Sequence, residues 1–137
     1  MADIQNAYRL VGVELTEFNI QPESQSLFGQ GTSLDYDVAI ALALSKENKF
    51  LHYNTSIGVR HKGETRVLTD LKSEAVFEVV ELSKCVDIKE PDQFSVSQEL
   101  NLSIGRVAMG ITRGLLIAKL REVGIPNVVV PLLPFEY

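Results

Sequence analysis

The chain has 137 residues, 45% of them hydrophobic and 23% charged, which fits one globular domain over residues 1–137 and excludes the disordered and collagen-like classes. Thirteen basic against eighteen acidic residues leave a net charge of −5 and a pI near 5.0, which counts against a surface built for a phosphate backbone and predicts no nucleic-acid partner. A single cysteine, Cys85, excludes an internal disulfide framework and fits a reducing compartment.

The opening Met-Ala-Asp-Ile-Gln-Asn has neither a basic nor an apolar region of the kind a signal peptide needs. The longest apolar runs are broken by Gly, Ser, Arg or Lys well short of a membrane span. The expectation is a cytoplasmic protein with no membrane insertion.

From Tyr8 to Ile20 the apolar positions Val11, Val13 and Leu15 alternate, then continue as Phe18 and Ile20. That one-residue slip at Thr16-Glu17 predicts a strand with a bulge. Gln21 to Ser33, with Pro22, Gly29 and Gly31, reads as a loop that also carries Leu27 and Phe28. Leu34 to Leu44 alternates without a fault: Leu34, Tyr36, Val38, Ile40, Leu42 and Leu44 against Asp35, Asp37, Ala39, Ala41 and Ala43. Its Ala and Leu content favours helix, but the regular period of two outweighs propensity. A turn at Ser45 to Lys49 leads to a second run with Leu51, Tyr53, Thr55, Ile57 and Val59 on one face, a hairpin pattern. After His61-Lys62-Gly63-Glu64, a strand from about Val67 to Leu82 puts Val67, Leu71, Ala75, Phe77 and Val79 on one side. Four antiparallel strands in meander order follow.

Lys84 to Phe94 reads as a connector around Pro91, and Ser95 with Gln98 makes a capping box. Leu100, Ile104, Val107, Ala108, Ile111, Leu115 and Ala118 then recur at helical spacing until Gly124 and Pro126 stop the element. A helix over Ser97 to Val123 would be roughly 40 Å long. Asn127 to Tyr137 is apolar and proline-punctuated, so it is read as extended and packed.

Catalytic chemistry is scarce. His52 and His61 have no Cys or His partner at ligand spacing, and a zinc site needs three or four convergent ligands. Cys85 has no elbow motif or basic cluster beside it. Gly29-Gln30-Gly31 is followed by no helix signal, so it fails as a phosphate loop. Asp35 and Asp37 share a strand face and could form an acid/base pair, but two carboxylates on an otherwise Ala face are more often solvated edge charges or oligomer contacts. The expectation is a protein that is not an enzyme and takes no metal or cofactor.

Two features remain. Gly110, Gly114 and Ala118, with Gly105 nearby, form a line of small residues along the helix. Each internal glycine costs about 1 kcal/mol relative to Ala. Close packing on the chain's own sheet or on another subunit's helix would explain it. Apolar residues also crowd the irregular segments, with Phe28 the best candidate for lining a groove that takes an extended apolar peptide.

The run Lys119-Leu120-Arg121-Glu122-Val123-Gly124-Ile125-Pro126-Asn127-Val128-Val129-Val130-Pro131, closed by Phe135, resembles the helix end and tail of SecB-type protein-export chaperones. Tyr8 to Pro22, with Glu17 just before Phe18 and Ile20, is similar to that family's first strand. The resemblance implies an α+β fold: a four-stranded antiparallel sheet with one long helix on one face. It further implies a homotetramer built as a dimer of dimers, with helices between dimers, so that Gly110, Gly114 and Ala118 form an oligomer interface. The implied activity is ATP-independent holding of unfolded polypeptide clients, with Phe18, Ile20, Phe28, Val67 and Leu71 in the client-binding segments. Glu17 and Asp70 stand where the family contacts its SecA-type translocation motor, while Gln21 replaces a second acid. The chain stops at Tyr137, without the family's second helix and zinc tail, and Leu132 and Pro134 also depart from the pattern. Those departures count against motor docking and keep open the alternative of a SecB-like binder dedicated to one partner, such as a toxin–antitoxin component.

Overall fold

The computed structural model describes residues 8–26, 33–45, 50–80, 86–90, 93–125 and 130. Strands β1 (Tyr8–Ile20), β2 (Leu34–Leu44), β3 (Phe50–His61) and β4 (Thr69–Val79) form one antiparallel sheet. Alternation in β3 and β4 is the direct cause of their placement: Leu51, Tyr53, Thr55, Ile57 and Val59 are buried, as are Leu71, Ala75, Phe77 and Val79. Their polar neighbours face the other side.

The strand order is β1-β4-β3-β2, which corrects the expected meander. Strands β2, β3 and β4 do follow one another, but β1 pairs with β4 and not with its sequence neighbour β2. The reason lies in the crossover. After Ile20 the chain turns through a 3₁₀ turn, Pro22–Ser26. There the Gln21 amide and the Ser24 hydroxyl both donate to the carbonyl of Leu68, each at 2.8 Å. Thr69 Oγ1 donates to Ser24 Oγ at 2.7 Å. These bonds moor the end of β1 to the start of β4.

The register of β1 shifts between Leu15 and Glu17, where the sequence slip predicts it, and again between Leu10 and Gly12. The Val67–Leu82 strand is shorter than expected, since β4 begins at Thr69 and ends at Val79. The expected Lys84–Phe94 connector contains a small hairpin, β5 (Val86–Glu90) with β6 (Gln93–Val96). The alternation of Val86 with Ile88 and of Phe94 with Val96 is its sequence basis.

Helix α1 runs Gln98–Glu122. Its N-cap is Ser97, without a side-chain capping bond; Ser95 belongs to β6, so the expected capping box does not form. The C-terminal stop does. Gly124 adopts φ +91°, and the Ile125 amide reaches back to the Leu120 carbonyl at 2.9 Å.

The helix packs on β3 and β4, and its buried face includes Leu100, Ile104, Ala108, Met109, Leu116 and Leu120. Beneath it the core divides into two apolar clusters. One gathers Leu51, Tyr53, Phe77, Leu100 and Ile104. The other gathers Ile57, Val59, Leu71, Leu116 and Leu120. Between them in register lie the hydroxyl residues Thr55 and Ser73, with Thr112 of the helix bonded to Ser73.

Candidate functional site

An α-helix is about 10 Å across, whereas the outer strands of a four-stranded sheet stand about 14 Å apart. One helix centred on β3 and β4 therefore leaves the helix-side faces of β1 and β2 only partly covered. The structure shows two apolar shelves of this kind. On β1, Tyr8, Leu15, Phe18 and Ile20 are half-buried, and Leu10 and Val13, opposite the core residues Phe77 and Ala75, are 44% and 43% exposed. On β2, every member of the row from Leu34 to Leu44 at even positions is half-buried.

Phe18 and Ile20 lie together on the β1 shelf, packed against the cluster that contains Leu68 and Leu71. The other expected client residues do not join them. Leu71, opposite Phe18 in register, is fully buried; it supports the shelf from below and offers no surface. Val67 lies on the opposite face of the sheet. A Cβ built on Gly58 would meet Val67 Cγ1 at 3.2 Å, and Gly58 points away from the helix between the core residues Ile57 and Val59. The missing side chain at Gly58 thus leaves the space that Val67 fills. Phe28 and Cys85 lie outside the described residues.

The expected acid contacts are brought together. Glu17 pairs with Lys72 Nζ at 3.1 Å, and the Asn19 amide donates to Asp70 at 2.9 Å. Hydrogen bonding from Asn19, and then Lys72, holds the exposed Glu17 carboxyl below its usual range. This polar patch stands across the sheet from the core face of β1. Beside it, the small side chains of Ala39, Ala41 and Ser56 leave a shallow open hollow of about 230 Å³, bordered by Thr16, Asn54 and Lys72.

Asp35 and Asp37 converge on Arg60, at 3.1 and 2.9 Å. Arg60 also donates to the Glu64 carbonyl at 2.7 Å, and the Gly63 amide donates to Asp35 at 3.2 Å. The pair is thereby committed to holding the β3–β4 turn against β2. Among the described residues, no three His, Cys, Asp or Glu are grouped to hold a metal ion. No described helix is long and apolar enough to cross a membrane.

Gly110, Gly114 and Ala118 are exposed, and a Cβ at either glycine would meet nothing within 4 Å. Packing against the chain's own sheet is therefore excluded as the reason for these two glycines. Gly105 is the glycine that is buried. Two anchors escaped sequence reading: Tyr8 Oη with Ser103 Oγ at 2.7 Å, and Tyr53 Oη donating to Asn101 Oδ1 at 2.7 Å. Both tie strands to the first turns of α1. The only available signal was a tyrosine at an apolar strand position, whose hydroxyl needs a partner when buried.

The four-stranded antiparallel sheet and its single long helix define a SecB-like fold. Among solved structures, the SecB-like chaperone Rv1957 of Mycobacterium tuberculosis, in complex with a ChAD peptide from the Rv1956 HigA1 antitoxin, is similar to this chain with a TM-score of 0.58 and 12% identity. The match covers 96% of this chain and 91% of that one. No family model matches the sequence, and no curated protein matches it.

Proposed function

We propose that this chain is a SecB-like chaperone that holds unfolded polypeptide without ATP, using the apolar shelves that flank α1. The observation that carries this reading is the incomplete cover of β1 and β2. Leu10 and Val13 are each more than two-fifths exposed, on the strand that also presents Phe18 and Ile20. Apolar surface left in this form is stabilised by contact with an apolar chain. The exposed line of Gly110, Gly114 and Ala118 supports assembly through helices into a homotetramer. The Glu17–Asn19–Asp70 patch, on the other face, is the place for a motor or other partner to contact a loaded subunit.

The alternative reading is a binder dedicated to one polypeptide. It is favoured by the structural neighbour, which was solved with a peptide from an antitoxin. The test is aggregation of a guanidinium-unfolded luciferase on dilution, with and without equimolar subunit and without ATP. Suppression supports the general chaperone; no suppression by folded protein leaves the dedicated binder.

A further inference from the structure

Val130 belongs to the core without belonging to the sheet or the helix. It lies beyond the stop at Gly124 and is fully buried in the cluster of Ile57, Val59, Leu71, Leu116 and Leu120. The half-buried residues of both shelves, Phe18 and Ile20 on β1 and Tyr36, Val38 and Ile40 on β2, pack against that same cluster. Val130 is therefore a piece of apolar chain set into the surface that the shelves border. Its main chain is tied to the helix by Arg113, whose Nε donates to the Val130 carbonyl at 2.6 Å. Pro126 precedes it and Pro131 follows, and a proline has no N–H to give to a strand ladder. What holds Val130 to the described residues is one buried side chain and the Arg113 bond. Contacts that few open locally before the sheet does.

We propose that Val130 is an intramolecular plug: it occupies apolar surface that a bound polypeptide would otherwise take, Arg113 latches it, and it yields as the polypeptide binds. This rests on the reading that the chain holds unfolded polypeptide, and it states how that holding is restrained. Val130 stands in a run with Val128, Val129, Leu132 and Leu133, which has the apolar chemistry of a client, so the two compete for one kind of surface. The apparent affinity for a client is then its intrinsic affinity scaled by the fraction of subunits with the plug out. Arg113 sets that fraction, because a charged donor on a part-buried carbonyl makes a strong bond. A valine that only completed the core would behave otherwise. Loosening it would destabilise the subunit and gain nothing in binding.

The test uses the full chain with methyl-labelled valine and a fluorescein-labelled peptide rich in Leu and Phe, kept soluble by terminal arginines. Arg113→Met keeps the apolar stem and removes the donor; Arg113→Lys restores a donor. Fluorescence anisotropy is expected to show Arg113→Met binding the peptide about threefold to tenfold more tightly than wild type, with Arg113→Lys in between. In wild type, the Val130 methyl signals, assigned by their loss in Val130→Ile, are expected to move to solvent-exposed positions as peptide is added. Peptide binding that leaves those signals in place overturns the plug while the chaperone reading stands, as does equal or weaker binding by folded Arg113→Met. No binding by wild type or by either Arg113 variant overturns the chaperone reading and the plug with it. The methyl signals decide the matter in wild type even if Arg113→Met fails to fold.

Discussion

Ser73 and Thr112 share a 2.8 Å hydrogen bond in the interior, where the sheet meets α1. Thr112 Oγ1 donates its proton to the Ala108 carbonyl at 2.8 Å, so the Ser73 hydroxyl is the donor between the two. Their neighbour Thr55, opposite Ser73 in register, keeps a buried hydroxyl that has no partner among the described residues. A satisfied pair and an orphan thus sit side by side between the two halves of the core. Replacing Thr112 by Val should cost about 1–3 kcal/mol, because the buried Ser73 donor loses its acceptor. Thr55→Val should instead stabilise by about 1 kcal/mol, by removing a polar group that nothing satisfies. Urea unfolding of the two variants checks both signs.

Phe18 and Val67 stand on opposite faces of the sheet, so their substitutions should separate. Phe18→Ser removes apolar surface from the shelf and should weaken aggregation suppression several-fold. Val67→Ser should leave suppression unchanged. Gly58→Leu is a structural control: the new side chain needs the space Val67 fills, and it should destabilise by about 1–3 kcal/mol. Restoration of stability in Gly58→Leu/Val67→Ala would confirm which side chain was displaced.

Glu17 links stability to pH. Its carboxyl is held below the ordinary value of 4.5, first by Asn19 and then by Lys72. A depressed folded pKa means that the contribution is present above 4.5 and is lost as the pH falls through the folded value. The difference in Tm between wild type and Glu17→Gln should therefore be present at pH 7 and vanish in acid. Added salt should shrink it at neutral pH, because the group is exposed.

On the outer side of α1, a Cβ added at Gly110 or Gly114 meets nothing within 4 Å among the described residues, so Gly110→Leu and Gly114→Leu start in open space. Each also gains helix propensity of up to about 1 kcal/mol. Helicity by circular dichroism should be retained or raised, while the native mass by light scattering falls. An unchanged mass would remove the helix stripe from the assembly.

Much of the fold was legible because strand faces follow from a period of two. The even positions of Leu34–Leu44 and the odd positions of Leu51–Val59 face α1 as their alternation requires, and the slip at Thr16-Glu17 is a true register shift. The helix was legible for the same kind of reason, with its stop encoded by a glycine at positive φ. Phe18 and Ile20 could be paired on one surface because they stand two positions apart, one whole strand repeat.

Strand order was not legible, because alternation says which way a side chain points and nothing about which edge a strand joins. That choice depends on Gln21, Ser24 and Thr69 meeting around the Leu68 carbonyl, contacts between segments far apart in the chain. Val67 fell on the wrong face for a related reason: it precedes β4, so the strand's period does not extend to it, and the space at Gly58 draws it across. The shelves themselves come from widths, one helix over four strands. Local residue patterns can specify an apolar face, but whether a neighbour covers it is a matter of packing in three dimensions.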